Sequence, residues 1–450
     1  MQEGMFLDGT LYATIARNMA KGLGSFWAPC YTVINDKIFY GHPPMAMAME
    51  ALLFKCFGDH LFVERMYSFL MGIISMFLII KIWKVVHKDS QPELKLFWLP
   101  VLLWAAIPVV SWSYANNMLD NTQCFFCLLS SVSLLQLFVL KKSLLFYSIL
   151  AAIFIFLALI TKGPLGLFPI AIPFVYWISI KNAELAKVAM SFFIILLLLA
   201  IISFTLMNVE ESKIFIQKYI HLQLFSSLSG SLKEESRFFI LQKLGKELLP
   251  IMIISLIVMG IYKIKNKSIR VLNKINRQWL FFFLFLAIAS SFPIMVSNKQ
   301  MGFYLIPSMP YYALAFSLIL LPVIKEWMDK INIEAKYYKV IRLSSVGFFA
   351  ITIGFSILKY GKIGREVEKI KDIKIIGSIV GADQIVGECP ELYQNWGVQA
   401  YFGRYYNISL DKRNTNRKYI VLSKTCSVKD IEKYQKMALD TKELDLYELK

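Results

Sequence analysis

The sequence predicts an all-α polytopic membrane bundle followed by a small α/β domain. Of 450 residues, 57% are hydrophobic and only 18% are charged, and the mean hydropathy is +0.55. A soluble chain cannot hide that much apolar surface from water. Apolar runs of about 20 residues recur, the length that crosses a hydrocarbon core as a helix. From residue 359 onward these runs stop, and strand-like and helix-like segments alternate. The expected divisions are a first loop over 1–60, a bundle over 61–358 and a tail domain over 359–450.

About ten spans fit the apolar runs. They are Leu61–Trp83, Phe97–Ser113, Leu119–Leu140, Leu144–Leu159, Leu165–Ile180, Val188–Met207, Leu248–Ile261, Trp279–Val296, Phe303–Val323 and Leu343–Leu358. Alternate connections are basic: "KIWKVVHKDSQPELK", Lys141–Lys142, "KNAELAK", "KIKNKSIRVLNKINR" and "KEWMDKINIEAKYYKVIR". Basic loops stay in the cytoplasm, so these connections face inward. The net charge of +18 therefore sets orientation, and no nucleic-acid partner is expected. The first loop, the "YANNMLD" and "TKGP" turns and the tail then lie on the outer face of the cytoplasmic (inner) membrane. An outer first loop needs something to export it. The expectation is a further transmembrane helix upstream of Met1, tested by translating the preceding DNA in frame.

Within the first loop, Leu11, Ile15, Ala16 and Met19 fall on one helical face, which predicts an amphipathic helix lying on the membrane surface. "MAMAMEALLFKCFG" predicts a second such helix, entered through the stiff turn "GHPP". In the tail, "IKIIGSIVG", "YYNISL" and "KYIVLSK" have strand composition, whereas "PELYQNWGVQAYFG" and "VKDIEKYQKMALD" have helical spacing. Cys389 and Cys426 both lie there and can pair in an oxidising compartment. Cys124 and Cys127 form a CxxC inside an apolar run, where small packing residues are the expected reading.

Few residues offer chemistry. Asp8 heads the first helix, where it serves either as an N-cap or as a carboxylate aimed at the membrane surface. Asp120 opens a span on the same outer face, where an acid near lipid needs a partner or a role. Lys162 lies between two apolar runs, either snorkelling to headgroups or holding an anion. His42, Lys218, His221 and Arg237 come from outer loops, where a solvated surface is the simplest reading of each alone. Acids and bases converging on one end of an apolar bundle fit sugar transfer from a lipid-linked phosphate. Cations stabilise the leaving phosphate, and a carboxylate takes the acceptor's proton. One base without a nucleophile gives a single displacement with inversion.

The ordered motifs extend this reading. "LDGTLYATIARNMAKGLG", "FYGHPPMAMAMEALLFKCFGDHLFVERMYSFLMG", "NNMLDNTQ", "LITKGPLGLFP" and "KQMGFYLIPSMPYYAL" occur in this order. The chain resembles the bacterial polyprenyl-phosphate-sugar transferases of the GT-C superfamily. These are related to the dolichyl-phosphate-mannose–protein mannosyltransferases and the lipid A aminoarabinose transferases. The resemblance implies a GT-C helical bundle whose first outer loop roofs a donor cavity. It places the catalytic acid on Asp8 and the second motif acid on Asp120, and a donor-phosphate set on His42, Lys162, Arg237 and Tyr304. "HLQLF" resembles a "HIQRF" segment whose histidine helps hold a divalent metal, so His221 is the candidate metal ligand and that metal the one cofactor considered. Leu224 stands in the arginine position, and Gly41-His42-Pro43 replaces the "EKP" that supplies the metal's acid.

The expected partners are a polyprenyl-phosphate-linked sugar, membrane lipids, and a lipid A or glycolipid, polysaccharide or protein acceptor. A transporter or lipid flippase is the competing class, and a non-catalytic scaffold a third. Transporters place charges at mid-membrane and show repeated halves. Here the charges cluster at one end and no repeat is visible.

Overall fold

The computed structural model describes residues 2–35, 37–181, 183–226, 236–266, 274–332, 334–413, 417–426, 428 and 431–450. Among them are eight helices long and apolar enough to cross a membrane, plus one bent pair. Parts of two loops used to assign orientation, 227–235 and 267–273, lie outside the described residues.

Two expected spans take other forms. Phe97–Ser113 breaks into Trp98–Ala105 and Pro108–Ala115, within a pair bent by 76°. Pro108 has no N–H to continue the first helix, and it forces Ile107 into extended backbone. The Glu247 carboxylate accepts from the Val109 amide at 2.7 Å and so caps the second half. Leu165–Ile180 becomes a 3-10 segment, Pro164–Ala171, running into a short α-helix, Ile172–Ser179. Pro169 and Pro173 remove the amides that one continuous α-helix would use.

Packing divides the chain differently from hydropathy, into two compact units. One gathers Met1–Phe39, Met47–Tyr67 and Ile341–Lys450, and the other Tyr40–Ala46 and Ser68–Val340. Most of the first loop and the whole tail thus share a unit.

At the centre of the larger unit are Leu119–Val139 and Gly302–Asp329, 72% and 83% buried over their apolar windows; its other complete spans reach no more than 39%. Ser131 Oγ and Tyr311 Oη meet at 2.7 Å between these two. Leu144–Lys162 packs on Leu119–Val139, burying Ala151, Ala152, Ile155 and Ala158 completely. Small residues on that face let two helix backbones approach closely. Cys124 and Cys127 are buried free thiols in the Leu119–Val139 helix.

The smaller unit has a five-stranded sheet in the order β2-β1-β3-β5-β4. Its strands are β1 Ile385–Glu388, β2 Ser409–Asp411, β3 Tyr419–Ser423, β4 Tyr434–Lys436 and β5 Leu444–Leu449. β1 runs parallel to β2 and β3, and β5 antiparallel to β3 and β4. Two local expectations reverse. "IKIIGSIVG" belongs to the helix Val367–Val380, because Ile370, Ile373 and Ile376 recur every third residue toward the core. "VKDIEKYQKMALD" contributes strand β4 where helix spacing was expected. Cys389 and Cys426 form a disulfide with their Cα atoms 6.5 Å apart.

The Leu7–Ala20 helix does not lie on a surface. Every residue from Gly9 to Asn18 is buried, Arg17 included. Its polar face is satisfied by hydrogen bonds, and a helix so satisfied can be buried on all sides. Met45–Phe57 keeps the expected two-sidedness, with Met47, Glu50, Ala51 and Phe54 inside and Leu52, Lys55 and Phe57 outside.

Candidate active site

In the larger unit, a cavity of about 330 Å³ collects basic and apolar side chains. His42, Lys162, Lys299 and Tyr304 line it with Leu165, Leu224, Ile294 and Val296. Lys162 ends its helix, where the helix dipole favours a cation. The next residue, Gly163, turns the chain at φ +104°, a conformation that L side chains rarely adopt. Tyr219 Oη donates to the Lys162 carbonyl at 3.3 Å, and Gln123 Nε2 donates to the Ala158 and Gly163 carbonyls, each at 3.3 Å. These bonds fix the end of the helix from two sides.

The Lys162 ammonium is buried. It forms an ion pair with Asp120 and lies 4.7 Å from the centres of both the Phe303 and Tyr304 rings. A cation over aromatic faces is attracted by their quadrupoles. Asp120 is fully buried in the first turn of its own helix, the end where a negative charge is favoured. It backs Lys162 from outside the cavity lining. Burial of its ring and the positive charges of Lys162 and Lys299 push His42 well below the usual imidazole range. The ring is therefore neutral at pH 7, and the two lysines supply the positive charge.

Lys299 and Tyr219 were not singled out from the sequence. Lys299 opens the "KQMGFYLIPSMPYYAL" stretch, so its place at the head of a motif was the available signal. Its turn is held by the buried Gln300, which accepts from the Ile240 amide at 2.8 Å and donates to the Arg237 and Ser297 carbonyls at 3.1 and 3.0 Å. Arg237 itself is exposed and is not in the cavity lining; its backbone carbonyl accepts the Gln300 bond that holds the turn. His221 is exposed within the π-helical Ile220–Phe225, although Gln223 and Leu224 of the same segment line the cavity.

In the smaller unit, Asp8 is partly buried in the first turn of the Leu7–Ala20 helix. The N-cap position belongs to Phe6, which makes no side-chain capping bond. Asp8 is therefore not the N-cap, one of the two roles its position left open, although the helix dipole still favours a carboxylate there.

Residues 41–224 match the family described as dolichyl-phosphate-mannose-protein mannosyltransferase. The whole chain superposes on the crystal structure of ArnT from Cupriavidus metallidurans bound to undecaprenyl phosphate. That superposition has a TM-score of 0.68 at 13% identity and covers 99% of this chain and 94% of the other. That likeness is one of fold. An oligosaccharyltransferase from Archaeoglobus fulgidus, solved with Zn and sulfate, shares the fold at a TM-score of 0.50 and 12% identity, over 92% of this chain and 64% of its own. In sequence, the chain is 31% identical over 180 residues to an uncharacterised protein of Aquifex aeolicus, a match spanning 40% of this chain and 34% of that relative.

The Archaeoglobus fulgidus structure holds Zn, so the donor set here matters. Among the described residues, the only group of three or more metal-ligating side chains within reach of one another is Cys389, Glu391 and Cys426. Its two sulfurs are bonded to each other, which removes the thiolates a metal would need. His221 is in no such group among the described residues, and the ammoniums of Lys162 and Lys299 act on His42, which opposes a divalent cation there. These donors do not fit a metal centre.

Proposed function

We propose that this chain is a GT-C enzyme that transfers a sugar from a polyprenyl-phosphate donor to a cell-envelope acceptor on the outer face of the cytoplasmic membrane. The observation that carries the reading is the cavity that joins Lys162, Lys299, the neutral His42 and Tyr304 to an apolar wall. A phosphate with a hydrocarbon tail asks for that combination. The ArnT relative bound to undecaprenyl phosphate supports such a donor, and the disulfide supports an oxidising compartment for the tail.

In the proposed reaction, an acceptor hydroxyl oxygen attacks the anomeric carbon while the bond from that carbon to the phosphate oxygen breaks. The electron pair leaves on the polyprenyl phosphate, where Lys162 and Lys299 stabilise the growing charge. Asp8 takes the acceptor's proton. One displacement inverts the sugar carbon. His42 and Tyr304 contribute hydrogen bonds to the phosphate, and Arg237, exposed and outside the cavity lining, is given no contact with it. The acceptor is a glycolipid such as lipid A, a polysaccharide or a protein.

The test is transfer from radiolabelled polyprenyl-phosphate sugars to extracted envelope acceptors by purified protein in lipid. Asp8→Asn should lower turnover by about 10²–10⁴-fold, the contribution of a general base. Binding of undecaprenyl phosphate should be unchanged. Full activity in this variant would show that another group takes the proton.

A further inference from the structure

The helix that carries Asp8 is held along its length by the tail helix Trp396–Tyr406, both within the smaller unit. At the entry to the Asp8 helix, Tyr401 Oη donates to the Met5 carbonyl at 2.7 Å. Midway, Thr14 rests on Gly403; a Cβ at position 403 would stand 3.2 Å from Thr14 Cγ2. Further along, Arg17 Nη1 donates to the Gly403 carbonyl at 2.8 Å and Nη2 to Asn407 Oδ1 at 2.6 Å. Arg404 anchors the other side of the tail helix. Its guanidinium pairs with both carboxylate oxygens of Glu64, at 3.1 and 2.9 Å, and with Asp59 at 2.8 Å.

The azimuth of these contacts matters. At about 100° per residue, Thr14 and Arg17 sit roughly 240° and 180° around the helix from Asp8. The tail therefore grips the half of the helix facing away from the carboxylate. Three bonded or close-packed points spread over Met5 to Arg17 fix both the height and the rotation of the helix, and so the direction of Asp8.

We propose that Tyr401, Gly403 and Arg17 are positioning residues for Asp8, which makes the tail domain part of the catalytic apparatus. This rests on the reading of Asp8 as the base. Gly403 gives the cleanest handle, because a methyl group there wedges against Thr14 and shifts the helix by a few tenths of an ångström.

The test compares Gly403→Ala, Thr14→Ser, the double variant and Tyr401→Phe in the full chain in lipid. Turnover is normalised to the folded fraction, and undecaprenyl phosphate serves as the binding probe. A misplacement of about 1 Å costs roughly 100-fold in rate, so a shift of a few tenths should cost about fivefold to tenfold. Gly403→Ala is expected to lower kcat by that factor with undecaprenyl phosphate affinity unchanged. Thr14→Ser removes the struck methyl group and keeps the hydroxyl, so the double variant should recover wild-type turnover. Tyr401→Phe, which removes only the hydroxyl and keeps the ring, should lower kcat by about threefold, the loss of one hydrogen bond's alignment. Wild-type kcat in Gly403→Ala, or a loss that Thr14→Ser does not rescue, overturns the proposal. If Gly403→Ala does not fold, unchanged kcat in Tyr401→Phe does the same. Asp8→Asn is run beside them: if it is inactive while Gly403→Ala is fully active, only the positioning role fails, and if it is active, the base assignment fails and the proposal with it.

Discussion

The pair of Lys162 and Asp120 allows a quantitative test of what holds the cavity wall. Both side chains are nearly or fully buried, at 4% and 0% exposure. Removing one member of such a pair leaves a charge stranded in a poor solvent and typically costs about 3–5 kcal/mol. Lys162→Met strands the Asp120 carboxylate. Asp120→Asn strands an ammonium that still faces the Phe303 and Tyr304 rings, which return about 0.5–2 kcal/mol. The lysine variant should therefore be the worse of the two, at about 4 kcal/mol against about 3 kcal/mol. The double variant strands neither charge and should lose no more than about 4 kcal/mol, so the coupling is at least about 3 kcal/mol.

Equilibrium unfolding in mixed micelles measures all three variants. Undecaprenyl phosphate added at about 100 times its Kd should stabilise the wild type by roughly 2.7 kcal/mol. Asp120→Asn should keep that increment, because Lys162 remains available to the phosphate. Lys162→Met and the double variant should lose most of it. Additivity of the single costs to within about 0.5 kcal/mol would refute the coupled pair. An undiminished increment in Lys162→Met would refute the phosphate role.

The rest of the cavity makes distinguishable predictions. Because His42 is held neutral at pH 7 by burial and two lysines, His42→Gln should weaken undecaprenyl phosphate binding less than tenfold, whereas Lys299→Met should weaken it by about 10–100-fold, the loss of a charge-assisted bond; calorimetry separates the two. The depressed imidazole also carries a sign. The unfolded chain takes up His42's proton first, so this residue's contribution to stability is present above about pH 6.5 and is lost as pH falls below it; His42→Gln should flatten that part of the stability profile. Gly163→Ala places a Cβ on the Tyr219 hydroxyl at a positive φ, and should destabilise the protein by about 1–3 kcal/mol and displace Lys162; wild-type stability and binding in that variant would show that the turn is not needed.

Much of the bundle was legible because a lipid solvent demands one thing of sequence: long apolar runs whose backbone bonds close within the helix. The exceptions carry prolines. Pro108 splits one run, and Pro169 and Pro173 shorten another, so hydropathy alone counted each as a full span. The tail was harder. "IKIIGSIVG" is rich in β-branched residues, and composition favoured a strand, but Ile370, Ile373 and Ile376 face one core from a helix. Tertiary packing overrode propensity there. The short strands β1 and β4 carry too few residues to announce a period.

The site was legible where a residue was costly in its place. Lys162 between two apolar runs is a poor position for an idle ammonium, and it lies at the cavity with an acid and two rings around it. Asp120 was visible for the same reason. Lys299 was not, because a lysine in a polar loop costs nothing, and only folding brings it to the wall that Lys162 and His42 share. The Leu7–Ala20 helix taught the opposite lesson. Its apolar face suggested a membrane surface, but the helix is buried, and Gly403, Arg404 and Asn407 supply Arg17 with carbonyl and amide oxygens inside the protein. A guanidinium's five donors in a fixed fork make it the cation most easily satisfied in that way. Partners from nearly 400 residues along the chain leave no local trace, so a buried arginine and a solvated one read alike until the chain is folded.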